Sequence, residues 1–265
     1  MKEKPFSKYQ ILANAVMIIW TLAIILPFIL LFMSSITDEN TLVANGYSFF
    51  PKKFSLASYS YIIKSGGQIL KAYGVSIGVT VVGTLLNVLL SALMAYPLSV
   101  KNLPGRNVMM FFVFFTMLFN GGIVPSYIMW TGTFHIKDTI FAQLLPNFLL
   151  SAWNVMMIRT YFTTSIPDGL YEAAEIDGAS QFTIFWKIVL PLGKPILVTM
   201  GTFAGLAYWN DWTNGLYYIV KNTGLYNVQN LLNQMVQNIQ FLTQSSNSNV
   251  TAAASTIPAT GIRMA

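Results

Sequence analysis

The chain is poor in side chains that do chemistry: its 265 residues include no cysteine, a single histidine (His135) and nine acidic residues. Without cysteine there can be no disulfide, thiolate metal site or thiol nucleophile, and one histidine leaves little room for imidazole metal clusters or serine–histidine pairs. No catalytic residue and no metal site is therefore assigned. Four of the nine carboxylates, Asp168, Glu172, Glu175 and Asp177, fall within ten positions of one another, inside Ser165–Pro195. Steps of three and four residues place Asp168, Glu172 and Glu175 on one helix face, with Ile166, Leu170, Ala173 and Ala174 on the other. An acidic face backed by alanines, which let a partner's backbone come close, is suited to docking into another protein's groove.

The elements that must position this cluster can be read locally. Ser165 is expected to cap the first turn, with Asp168 in capping-box position and Pro167 tolerated in the opening turn. Gly178 stands where a left-handed stop is expected, limiting the helix to roughly three turns. A second helix carries Phe182, Phe185, Ile188 and Val189 as an apolar stripe and ends at Leu190-Pro191. On both sides of this polar interruption the chain is apolar.

Over the whole sequence 54% of residues are hydrophobic and 9% charged, against about 25% charged in a soluble domain. The fold class expected is all-α, a polytopic membrane protein in one transmembrane domain, residues 1–265. The formal charge of +6 is scattered rather than gathered on a soluble face, so no nucleic-acid partner is expected; the lipid bilayer is the partner composition implies. Five spans are predicted at about 11–36, 73–98, 107–130, 139–157 and 195–220. A new apolar run near Ala252 reads as the start of a sixth span, incomplete at Ala265. The first run is longer than a signal peptide's apolar core and lacks a small-residue cleavage pattern, so it is taken as retained. Three lysines against one glutamate in Met1–Lys8, and Lys101 with Arg106 in a short turn, place the N-terminus in the cytoplasm. On that alternation the acidic segment 165–195 is a cytoplasmic loop between spans four and five.

Two further stretches carry polar groups of interest. Span three is interrupted by Asn120-Gly121-Gly122, which reads equally as a packing kink or as the wall of a water-filled path. Span five contains Tyr208, Trp209, Asn210, Asp211 and Trp212. Asp211 is either an ionisable group facing the bundle interior or a residue of the outer headgroup layer within an aromatic belt. Beyond it, Leu225–Leu242 repeats Val228, Leu232, Met235, Ile239 and Leu242 at helical steps, with Gln229, Asn230, Asn233, Gln237 and Asn238 opposite. This is a plain amphipathic helix or a surface for neutral, hydroxyl-rich partners, because each amide both donates and accepts.

Glu172-Ala173-Ala174, three residues, Gly178, nine residues, then Ile188-Val189-Leu190-Pro191 resembles the EAA---G---------I-LP signature of bacterial ABC importer permeases at every specified position. Asn120-Gly121-Gly122 with Pro125, Ile166-Pro167, Asp177-Gly178-Ala179-Ser180, and Trp209-Asn210 with Trp212 and Asn214 extend the likeness to the maltose-type carbohydrate permeases, in particular the Gram-positive branch that imports complex oligosaccharides. The departure is at the C-terminus, where such permeases complete a sixth helix and a short tail. The resemblance implies a permease subunit of the bacterial cell membrane, working with a second homologous permease, two ATPase subunits and an extracellular sugar-binding protein to import an oligosaccharide. It implies that Glu172, Ala173, Ala174, Asp177, Gly178, Ile188, Leu190 and Pro191 transmit ATPase closure to the pore. It also implies that Asn120 and Tyr208–Trp212 lie along the substrate pathway, and that Gln229, Asn233 and Gln237 face the binding protein. The chain carries no G-x-x-x-x-G-K-[ST] phosphate loop, so ATP and Mg belong to the partner ATPase and no cofactor is assigned here. The competing reading, a secondary ion-coupled carrier acting alone, would call for more intramembrane ionisable residues and inverted repeats than the sequence offers.

Overall fold

The longest apolar runs become the longest helices. The computed structural model describes residues 8–38, 41–42, 45–64 and 66–244, so the expected start of a sixth span lies outside the described residues. Among the described residues the structure is mostly helical, with an isolated antiparallel bridge between Thr37 and Phe54. The chain forms two compact units, residues 1–67 with 234–265, and residues 68–233.

In the first unit α1 (Lys8–Ser35) is a 28-residue helix whose apolar side chains, Ile18, Trp20 and Phe28 among them, stay exposed, as on a helix sheathed in lipid. It ends in a small polar knot. The Ser35 and Tyr59 hydroxyls are 2.8 Å apart, Tyr59 belonging to α2 (Ala57–Lys64), and Lys53 pairs with Asp38 at 3.5 Å.

The second unit is built on α3 (Gly66–Ser99), which enters it after Gly67, and on α7 (Ala152–Ser165). Val155, Ile158 and Phe162 of α7 are fully buried against Ala92, Ala95 and Leu98 of α3 and against Val113 of α4 (Arg106–Leu118). Small residues do most of the fitting. A Cβ on Gly83 would stand 2.5 Å from the Tyr208 ring, so only glycine lets α3 approach that closely.

Two expected spans are sharply bent. After α4 the chain breaks at residues 119–122 and resumes as α5 (Ile123–Ile128) with a π-helical extension, Met129–Thr133, at 110° to α4. The span expected over 107–130 is thus two pieces. The segment after the acidic cluster, α9 (Gln181–Ile184) with its continuation to Leu192, meets α10 (Lys194–Trp209) at 78°. The π turn at Phe185–Val189 directly precedes Pro191, which lacks the N–H that the Lys187 carbonyl would take in an α-helix.

The span expected over 139–157 is not one continuous helix. It contains α6 (Phe141–Leu144), then turns to residue 151, and only the first residues of α7. Pro146 removes a donor here and Asn147 takes a left-handed conformation, φ 67°. The span expected over 195–220 likewise stops at Trp209 and resumes as α11 (Thr213–Tyr218). Among the described residues two helices are long and apolar enough to cross a membrane, or up to four if each bent pair is one span.

Candidate functional site

The acidic segment is built by local capping. α7 runs to Ser165 itself, so Ser165 closes one helix rather than opening the next; extended Ile166 and Pro167 then turn the chain into α8 (Asp168–Ile176). Proline at 167 disfavours a helical Ile166, which explains the break. At the far end Gly178, φ 75°, donates to the Glu175 carbonyl at 3.0 Å and Ala179 to the Ala174 carbonyl at 2.9 Å. That pair of bonds is a Schellman stop, with Ala174 and Ala179 packed into the core as its apolar clasp. Ser180 caps α9, its Oγ accepting from the Thr183 N–H at 3.2 Å.

Beneath α8 lies an anchor of aromatic and amide groups. Tyr96 of α3 donates to Gln181 Oε1 at 2.5 Å, and Gln181 Nε2 donates to Glu175 at 2.8 Å. The Tyr96 ring stacks on Tyr171 and tilts against Phe185, and burial pushes the Tyr171 phenol up. Lys101 pairs with Asp168. Of the cluster, Ala174 is buried, whereas Glu172, Ala173, Asp177 and Gly178 are exposed; Ile188 and Leu190 are half-buried and Pro191 exposed. The outward face also carries Leu170 and Ile176, the latter 86% exposed, so it is apolar as well as acidic.

The second polar region lies where the bent and interrupted helices meet. Carbonyls left without helical donors at α6–α7 are met one by one from other elements. Tyr208 donates to Leu144 O at 2.9 Å, Asn214 to Pro146 O at 3.1 Å and Asn87 to Phe148 O at 2.6 Å. Asn154 in turn donates to Asn87 at 2.8 Å. The break after α10 is closed from α12 (Val228–Gln244): Asn227 donates to Asp211 O at 2.5 Å and Asn230 to Trp212 O at 3.0 Å. In a bilayer each such group would otherwise cost several kcal/mol.

The residues expected along a pathway are therefore dispersed. Tyr208 is buried as a brace, and Asp211, 5% exposed, accepts from the Thr213 N–H and hydroxyl and from the Asn214 N–H, starting α11. Trp209, Asn210 and Trp212 are exposed, with Trp209 against Tyr73. Asn120 stands at the other break and lines a pocket with Asn147, Thr213, Asn214 and Tyr217. On α12 the buried side is Asn230 with Leu231, while Leu232, expected in the apolar stripe, is 48% exposed. Gln229 and Asn233 are half-buried and Gln237 exposed. Asn87, Asn147 and Asn154 carry this region and were not singled out from the sequence; the available signal is an isolated amide inside an apolar run.

Helices long and apolar enough to cross a membrane, together with an exposed acidic, glycine-stopped helix, define the class of helical membrane proteins. The family model for the binding-protein-dependent transport system inner membrane component matches residues 72–261, and the chain belongs to that family. It is similar to the protein LplC of Bacillus subtilis, 38% identical over 74% of this chain and 65% of that one. It is also similar to the polygalacturonan/rhamnogalacturonan transport system permease protein YtcP of Bacillus subtilis, 36% identical over 86% of this chain and 78% of that one. The chain thus spans about two thirds of the first of these relatives. Its fold resembles a crystal structure of a bacterial ABC transporter involved in the import of the acidic polysaccharide alginate, with a TM-score of 0.78, 25% identity, and coverage of 99% of this chain and 93% of that chain. Within the family the chain is a membrane component of a binding-protein-dependent transport system.

Proposed function

We infer that this permease forms half of the pore of an ATP-driven oligosaccharide importer, paired with a second homologous permease, two ATPase subunits and an extracellular sugar-binding protein. The observation that carries the reading is α8. It is a nine-residue helix that opens after Pro167 and closes in a glycine stop, is anchored through Tyr96 and Gln181 to α3, and is open on its Leu170, Glu172, Ala173 and Ile176 side. An exposed face both apolar and acidic on a rigid base is what a groove-docking helix requires. Closure of an ATPase dimer around α8 would move α7 and α9–α10 with it, since both run directly into the segment.

In this reading the N-terminus is cytoplasmic, five spans with a sixth beginning near Ala252 make up the domain, and the chain itself is non-catalytic, ATP and Mg residing on the partner. Swinging the pore from mostly one state to mostly the other takes about 5.5 kcal/mol of differential binding. The absence of cysteine makes the test clean. A single Ala173→Cys variant, paired with cysteines introduced around the ATPase groove, should crosslink in the assembled complex, and the chain should co-purify with an ATPase and a second permease in detergent. A chain that purifies alone and transports alone would establish the secondary-carrier reading instead.

A further inference from the structure

A pocket of about 270 Å³ opens where three interruptions of the helices meet. Its wall takes Asn120 from the break between α4 and α5, Ser126 from α5, Asn147 from the turns before α7, and Thr213, Asn214 and Tyr217 from α11. In a bilayer, non-helical backbone survives where it is covered by protein or lines a hydrated cavity, and discontinuous helices mark solute sites for that reason. The wall shares side chains with the bracing, Asn214 donating to the Pro146 carbonyl and Thr213 to Asp211, while Tyr217 stays exposed at the pocket.

The chemistry of that surface is specific. Asn147 is held at φ 67°, a conformation that costs a non-glycine residue about 1 kcal/mol, and its amide reaches Asn214 Oδ1 at 3.3 Å along the wall. Asn120 uses its carbonyl oxygen to accept from the Gly122 N–H at 2.9 Å, which turns the side chain back over the break. Tyr217 is 41% exposed and supplies an aromatic ring. Amides and hydroxyls that both donate and accept, set beside an aromatic face, match the hydroxyl rim and apolar C–H face of a sugar ring. None of the lining residues is a carboxylate or a cation. With no cation in the lining, an anionic sugar finds no counter-ion there.

The geometry points to a subsite in this chain for one neutral sugar ring of a passing oligosaccharide, with Tyr217 as the stacking face and Asn120 and Asn147 as hydroxyl partners. It rests on the reading of the chain as a carbohydrate importer permease, and it sets the chain apart from relatives named for polygalacturonan and alginate. The test uses the complete importer in proteoliposomes, with neutral malto-, xylo-, arabino- and galacto-tetrasaccharides and tetragalacturonate as probes. Tyr217→Ala and Asn147→Gly should each cut uptake of the transported neutral tetrasaccharide about tenfold at unchanged basal ATPase activity, the loss of one contact, and Tyr217→Phe should restore it. Asn147→Gly removes the amide while leaving a backbone that adopts φ 67° freely, so it carries the test if Tyr217→Ala does not assemble. Wild-type rates in both variants, or a preference for tetragalacturonate that depends on the same residues, overturn the subsite. Should the binding protein bind none of the probes and the wild-type importer move none, the carbohydrate reading itself falls.

Discussion

The segment around α8 and the region where α4–α5, α6–α7 and α10–α11 are interrupted both break the helical pattern, but they are held in opposite ways. At α8 the breaks are closed within a few residues: Gly178 and Ala179 bond back to Glu175 and Ala174, and Ser180 bonds forward to Thr183. At the interruptions the carbonyls of Leu144, Pro146 and Phe148 are closed by Tyr208, Asn214 and Asn87, 60 or more residues away in each case. A water-facing loop can be specified by its own sequence, because solvent forgives what the caps leave open. An interruption among apolar helices has to borrow donors from elsewhere. Substitutions at α8 should therefore alter function at constant stability, and substitutions among the borrowed donors should do the reverse.

Charge reversal at α8 should give the largest effect. Glu172→Lys is expected to reduce uptake and stimulated ATPase activity about tenfold or more, since a like-charge or unpaired contact at a docking face costs several kcal/mol. Its unfolding midpoint in detergent should match wild type, because an exposed substitution shifts stability by about 0.5 kcal/mol or less. Normal uptake, or a clear loss of stability, would break the contrast from this side. From the other side, Asn214→Leu removes the long-range donor to the Pro146 carbonyl, which keeps the Phe148 N–H at 2.9 Å, together with the acceptor for Asn147, and should destabilise by about 1–2 kcal/mol in denaturant titration. Stability equal to wild type would mean the long-range donors are dispensable. Gly178→Ala is smaller: a side chain at φ 75° costs about 1 kcal/mol, and because the stop is local, amide exchange should quicken in α8 alone.

The smallest effect concerns Asp138. The Lys221 N–H holds its carboxyl below the usual carboxylate range; desolvation opposes this, and the Val220 and Asn222 N–H groups and Lys137 add to the lowering. A carboxyl lowered in the folded state lends stability that is fully present above its unfolded pKa and drains away as pH falls through the lowered value. The stability difference between wild type and Asp138→Asn should thus be flat near neutral pH and shrink in acid. A difference that grew in acid would assign the loop's order to something other than the ionised carboxylate.

What was legible in the sequence follows the same division. The glycine stop, the apolar α9 face at Phe185 and Val189, and the membrane class could all be read from neighbours a few residues apart. Ser165 was misread because the rule for caps does not say which of two abutting helices a serine closes. Pro167, one proline after Ile166, decided it. The 139–157 run looked like a span by composition, and its loop at Pro146 became possible only because Asn87, Tyr208 and Asn214 stand opposite. Spacing within the run holds no trace of those donors. Asp211 stood out as a lone carboxylate, yet its Oδ1 is taken by Thr213 and Asn214, two and three residues on, to start α11.

The 78° bend between α9 and α10 makes the segment a bell crank. α10 has 16 residues, about 24 Å of stiff rod, with its pivot at Gly193, where the Phe162 ring leaves no room for a side chain. A turn of about 5° at that pivot would carry the Trp209 end sideways by about 2 Å over that length. That end adjoins α11, and α11 forms one wall of the pocket. Any rotation about that pivot would thus reach the far end as a stroke set by rod length.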